Sequence, residues 1–401
     1  MSEPARVPWR SRTVQVVLAS TALAPLGVPL VAPALPVIRD AFGVTDAQAS
    51  LLVSAYFVVG IVVSPFIGIL ADRFGRRRVL VPSLLLFGLA GGATVLATDF
   101  TTVLVLRAIA GTAAAGIFVT TVTIVGDAFE GVQRNAVLGV NTAVLSAGAA
   151  IFPIVGGALV AVSWETPFLS YLLALPLAGV AAVALEEPER ARSARDVAYL
   201  RGAARAVATR GTAGLYTTSF LTEVLLFGTV FTALPLLLPA EFGLGPLLVG
   251  LVLTATEVTA IVAAALNGRF ARRLSNGRLI AFGFACYGVG LVVAWAAPTV
   301  LLVAVGVAVF GAGVGLTMPC VDAEMSERVS GHYRAGALSL RNSTTFLGRA
   351  VGPVLFAGLA VTTGYRSLLL AAGVVAGVAA LVALLATGRQ VASSPGPKEA
   401  V

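Results

Sequence analysis

Long apolar runs separated by short polar breaks fill almost the whole chain. Twelve runs can be drawn: residues 13–38, 47–70, 79–97, 102–126, 134–161, 166–185, 212–239, 247–268, 279–297, 299–321, 335–361 and 366–387. A helix needs roughly 20 apolar residues to cross about 30 Å of hydrocarbon, and the runs meet that length. A membrane barrel would instead alternate apolar and polar residues over segments of about 10, which these runs do not do. The pattern predicts an all-α polytopic membrane protein with twelve transmembrane helices.

One polar interruption is longer than the rest, "EEPERARSARDVAYLRGAARAVATR" at residues 186–210. It predicts an N-terminal six-helix bundle over 1–185, a linker over 186–211 carrying an amphipathic surface helix, and a C-terminal six-helix bundle over 212–401. The two halves repeat each other at a constant offset of 200 residues. Gly68, Ala71, Arg73 and Arg78 return as Gly268, Ala271, Arg273 and Arg278, and Arg134 and Pro153 return as Arg334 and Pro353. Two parallel, pseudo-symmetric halves are the architecture of a transporter whose site lies between them.

Charge sharpens the topology. The chain is 58% hydrophobic and 11% charged, against about 25% charge in soluble domains. With the N-terminus in the cytoplasm and the spans alternating, 21 arginines and Lys398 lie inside, Arg107, Arg341 and Arg349 lie within spans, and Arg39 and Arg366 face outward. That asymmetry is the positive-inside rule. It assigns both termini and the linker to the cytoplasm of a cell (inner) membrane, and it explains the net charge of +8 without a nucleic-acid partner. The first run follows Arg6, Arg10 and Arg12 but is too long for a signal-peptide core, so it is read as an uncleaved helix. Cys286, Cys320 and His332 show no metal-ligand spacing, and no phosphate-binding lysine loop exists. No metal, no cofactor and no enzymatic chemistry are expected.

The densest charge lies in "GILADRFGRRRVL", residues 68–80, between the second and third runs. Gly68, Asp72, Arg73, Gly75, Arg76 and Arg77 resemble the signature loop of the major facilitator superfamily, G-x-x-x-D-R-x-G-R-R/K. "RAIAG" at 107–111 resembles that family's second motif. "GAAIFPIVGG" at 148–157, with Gly148, Pro153, Gly156 and Gly157, resembles the third, which marks drug–proton antiporters; Phe152 stands where that motif has its second Gly. Gly352-Pro353 repeats part of it. The resemblance covers the whole chain. It implies the twelve-helix transporter fold, alternating access, and a charge cluster of Asp72, Arg76 and Asp127 that latches the cytoplasmic gate. The Gly–Pro pairs, with Pro25, Pro29, Pro33 and Pro36 in the first run, are read as kink-forming.

Two carboxylates fall deep in the membrane. At about 1.5 Å per residue, Glu223 lies about 16 Å into its run and Glu257 about 15 Å. An acid at that depth costs several kcal/mol unless it is paired, hydrated or protonated. Each is a candidate proton carrier, a neutral hydrogen-bonded acid, or half of an ion pair. Arg349, about 21 Å deep, is the expected counter-charge, with Arg341 within about 80° of it on the same helix. Arg107 is either a snorkelling residue or part of the proton or substrate path, and Asn141 is a polar cavity contact or interhelical glue.

These readings predict a monomeric secondary transporter exchanging small amphiphilic or drug-like molecules for protons. A symporter or facilitator for a metabolite or organic anion is the second reading. A non-transporting membrane sensor or scaffold is the third.

Overall fold

The computed structural model describes residues 7–187 and 197–393. Residues 188–196 of the predicted linker, and Lys398, lie outside the described residues. The first apolar run does not become a single helix. It forms α1 (Arg12–Leu23), two short 3-10 turns at Ala24–Leu26 and Ala32–Ala34, and α2 (Leu35–Phe42). Pro25, Pro29, Pro33 and Pro36 each lack a backbone donor and crowd the preceding turn; at this density the i→i+4 ladder is interrupted, whereas single prolines such as Pro153 and Pro353 sit inside continuous helices.

The other apolar runs are continuous. They form α3 (Asp46–Phe74), α4 (Arg76–Leu96), α5 (Phe100–Ala128), α6 (Gly131–Val160) and α7 (Thr166–Ala184). A short linker helix, α8 (Val197–Ala206), follows. Then come α9 (Gly211–Phe242), α10 (Pro246–Ala271), α11 (Asn276–Ala296), α12 (Val300–Arg328), α13 (Gly336–Thr363) and α14 (Tyr365–Thr387). Among the described residues, eleven helices are long and apolar enough to cross a membrane; the twelfth predicted span is the proline-broken α1–α2 segment. Local chemistry sets several starts. Thr45 caps α3 in a reciprocal capping box with Gln48. Asp99 caps α5, and the Thr102 hydroxyl and N–H it accepts from hold its carboxyl below the usual range. Outward-facing apolar side chains such as Val62, Leu89, Leu301 and Leu385 are exposed, an arrangement that hydrocarbon tolerates and water does not.

Packing divides the helices into two units. One comprises Met1–Thr254 with Val329–Tyr365, the other Ala255–Arg328 with Arg366–Val401. These are packing groups, distinct from the halves of the sequence repeat. In the first unit α13 lies against both α3 and α9. The Ser54 hydroxyl donates to the Ala350 carbonyl at 2.6 Å, and the Thr254 hydroxyl donates to the Ala150 carbonyl at 2.7 Å. Both members of one bond are offset by 200 residues from those of the other, with the halves exchanged. The repeat seen in sequence is thus also a repeat in contacts.

In the second unit α11 and α12 cross at paired small residues. A Cβ on Gly290 would stand 2.4 Å from the Gly306 carbonyl, and one on Gly306 would stand 2.5 Å from that of Gly290. The Asn267 amide donates to the Leu316 carbonyl at 2.9 Å, tying α10 to α12.

Candidate functional site

Three charged centres in the first unit gather the predicted charged residues other than Glu257 and Arg341. The first is the turn between α3 and α4. Arg76 reaches back to Asp72 through Nη2 at 2.6 Å and across to Asp127 on α5 through Nε at 2.6 Å. Its Nη1 donates to the Ala71 carbonyl at 3.2 Å. Arg76 is buried, so one guanidinium fork joins three helices away from full solvent screening. Arg73, the signature arginine on the other side of the turn, is exposed over the Phe74 ring.

Sequence reasoning does not reach Glu187, which completes this turn. The Arg76 backbone N–H donates to a Glu187 carboxylate oxygen, so a residue that reads as linker caps the start of α4. Gly75 makes room for it. Its φ is +108°, and a Cβ there would stand 2.5 Å from the Glu187 carboxylate. Gly75→Ala should therefore destabilise the fold by about 1–3 kcal/mol, read as a lower unfolding temperature of the purified protein. An unchanged temperature would show that the turn relaxes freely.

A cavity of about 400 Å³ adjoins this cluster, lined among others by Gly68, Asp127, Arg134, Tyr199, Ser339 and Asn342. Tyr199 comes from α8. Its hydroxyl donates to the His332 carbonyl at 3.0 Å and accepts the Gly336 N–H at 3.1 Å. The predicted linker helix is therefore docked on the start of α13.

The second centre is an ion pair deep in the apolar region. Arg349 on α13 donates to both carboxylate oxygens of Glu223 on α9, Nε to Oε2 at 3.0 Å and Nη2 to Oε1 at 2.9 Å. The expected counter-charge is the one found. Gly352 of the predicted Gly–Pro pair and Gly348 one turn before it allow the approach: a Cβ on Gly348 would stand 2.8 Å from that of Glu223, and one on Gly352 2.6 Å from the Val224 carbonyl. Three rings surround the guanidinium, with centroids 5.4 Å (Phe57), 5.1 Å (Phe227) and 5.7 Å (Phe346) from its carbon. Phe227 sits in a π-helical stretch of α9, Leu226–Ala233, a departure from α geometry that recurs at functional sites. None of these phenylalanines carries a signal of its own in an apolar sequence with 20 of them.

The third centre is Arg107 on α5. It is 1% exposed, so the snorkelling reading is wrong. Its Nε donates to the Leu52 carbonyl at 3.0 Å and its Nη1 to the Tyr171 hydroxyl at 2.8 Å. Tyr171 in turn donates to the Leu26 carbonyl at 2.7 Å, a group freed by the broken first span. The Tyr56 ring centroid lies 4.5 Å from the guanidinium carbon.

The remaining predicted residues are Asn141, Arg341, Glu257 and the first Gly–Pro motif. Asn141 accepts from the Thr21 hydroxyl at 2.7 Å, an α1–α6 tie that matches the interhelical-glue reading. Arg341 is half-buried on α13, two turns before Arg349, and Glu257 is half-buried on α10. Of the other Gly–Pro motif, Gly156 packs on the Leu30 carbonyl, Gly157 on Pro246, and the Pro153 carbonyl meets Gly250. Gly148 packs on the Pro25 ring. These glycines act as points of close approach between helices. At the far end of α3 a further cluster holds Asp46, which accepts from Arg39 at 2.8 Å and from the Tyr365 hydroxyl at 3.0 Å.

Comparison with known proteins follows the same lines. The family described as Major Facilitator Superfamily matches residues 17–236 and 216–401. The chain is 27% identical over 348 residues to the bacillibactin exporter of Bacillus subtilis (strain 168), covering 83% of this chain and 86% of that one. It is 24% identical over 366 residues to Multidrug resistance protein 2 of the same organism, covering 86% and 88%. A bacterial homolog of the human lysosomal transporter Spinster, solved inward-facing and occupied, superposes with a TM-score of 0.80 at 15% identity, covering 98% of this chain and 100% of that one.

Proposed function

This chain is a multi-pass membrane transporter of the major facilitator superfamily, and from that premise we propose that it exports small amphiphilic or drug-like molecules in exchange for protons. The observation that carries the proposal is the Glu223–Arg349 pair. A carboxylate 4% exposed in an apolar helix needs a partner or a proton, and here it holds a partner bidentately. A group with two such ways of being stabilised can exchange one for the other as access alternates. The likeness to an exporter and to a multidrug resistance protein supports efflux. We place the Arg76 cluster at the cytoplasmic gate and both termini inside, because nearly all arginines then stay on one side of a cell membrane.

Flux through the purified full chain in proteoliposomes tests this reading. An inward-directed proton gradient should drive uphill movement of a drug-like cation from the Arg76 side to the other. Equal flux with the gradient reversed or collapsed would refute proton exchange. For topology, Arg195→Cys should resist impermeant thiol reagents in intact cells and react after permeabilisation. Labelling from outside would invert the orientation.

A further inference from the structure

The surroundings of Arg349 are chemically those of a bound cation. The guanidinium has a carboxylate on one edge and three aromatic rings around it. Phe57 meets Phe227 edge-on with centroids 5.1 Å apart and stacks with Phe346 at 5.9 Å. An aromatic face carries negative potential and attracts cations. Such walls do not suit an anion, and the Nε and Nη2 edge an anion would need is already given to Glu223.

The two partners differ in freedom. The Glu223 side chain is 5% exposed, whereas that of Arg349 is 31% exposed on a long flexible stem. If the pair opens, Arg349 is the member that leaves, and the carboxylate with its rings stays behind. We infer that the Glu223–Phe57–Phe227–Phe346 box is a binding site for an organic cation bearing a planar or aromatic group, and that Arg349 is its resident occupant, displaced when the substrate binds. This rests on the transport reading above and gives it a substrate class. Substrate, Arg349 and proton then compete for one carboxylate. A tethered guanidinium is a strong competitor because its local concentration is of the order of millimolar or more.

Equilibrium binding to the purified full chain in detergent tests the inference, with benzylguanidine as the cation and benzenesulfonate as a matched anion. Arg349→Gln removes the resident charge and should tighten benzylguanidine binding by about tenfold or more. Arg349→Lys keeps a charge but loses the planar fork, and should give a smaller gain; it serves if the Gln variant does not fold. Phe57→Leu and Phe346→Leu should each weaken binding by about tenfold, and benzenesulfonate should not bind the wild type. Unchanged or lost benzylguanidine binding in the Arg349 variants would overturn the inference. So would benzenesulfonate binding that disappears with Arg349, which would make the arginine an anion receptor. The transport reading fails separately. Binding that behaves as expected, with flux indifferent to pH, would remove proton exchange and leave the cation site standing.

Discussion

Glu223→Gln should abolish uphill, proton-driven transport and also weaken binding of a cationic substrate, leaving only the slow exchange that the three rings alone support. The carboxamide keeps the volume and one hydrogen-bond acceptor for Arg349 but has no proton to take up or release. Breaking a fully buried ion pair costs about 3–5 kcal/mol because the surviving charge is stranded. Here the survivor, Arg349, is partly exposed and ringed by three aromatics, so the variant should fold. Accumulation against a gradient, measured in proteoliposomes with an imposed pH difference, should fall to the background rate. Glu257→Gln, on the half-buried carboxylate of α10, is the comparison and should retain most of the driven flux. A Glu223→Gln protein that concentrates substrate at the normal rate would send the coupling role elsewhere, to Glu257, Asp72 or Asp127. The double variant separates these.

Arg76→Ala should slow turnover far more than it weakens substrate binding. Its guanidinium makes two charge-assisted bonds of 2.6 Å, to Asp72 and Asp127, each worth about 1.5–3 kcal/mol. Every 1.4 kcal/mol taken from a state the cycle must populate is about tenfold in rate. Arg76→Ala should therefore reduce turnover by about 10²-fold, and Asp72→Asn, which keeps the Asp127 bond, by about tenfold. Affinity measured in detergent should stay within about twofold for both, because the cluster lies at the end of α3 while Glu223 lies deep in α9. A collapse of affinity with normal conformational exchange would make the turn part of the binding site instead of a gate.

The helices were legible because the solvent they face demands continuous apolar runs, and periodicity within a run hardly matters. The first span resisted for a local reason. Its prolines were visible, but whether they bend a helix or break it depends on what accepts the freed carbonyls. Here the Tyr171 hydroxyl takes that of Leu26, and nothing in a linear reading pairs residues 26 and 171. Glu223 and Arg349 stood out because charge is scarce at depth, and scarcity is a property of sequence. The rings around them did not, because 20 phenylalanines in an apolar chain carry no individual signal. Glu187 was hidden the opposite way, as one acid in a charged stretch. The offset of 200 adds a detail: the position matching Phe57 is Glu257, and those matching Glu223 and Arg349 are Leu23 and Ala149. The repeat preserves backbone contacts while its chemistry differs between copies.

The exchanged hydroxyl–carbonyl bonds, Ser54 to Ala350 and Thr254 to Ala150, have the form of an isologous joint, in which i meets j and j meets i. In a true homodimer one codon would write both contacts, and any change would strike twice. Fusing the copies into one chain releases that constraint. Serine stands in one bond and threonine in the other, so each can be altered by itself. The same release lets one copy acquire an acid and its arginine while the other keeps leucine and alanine. A single chain can thus inherit the mechanics of a two-fold pair without having to duplicate its charge.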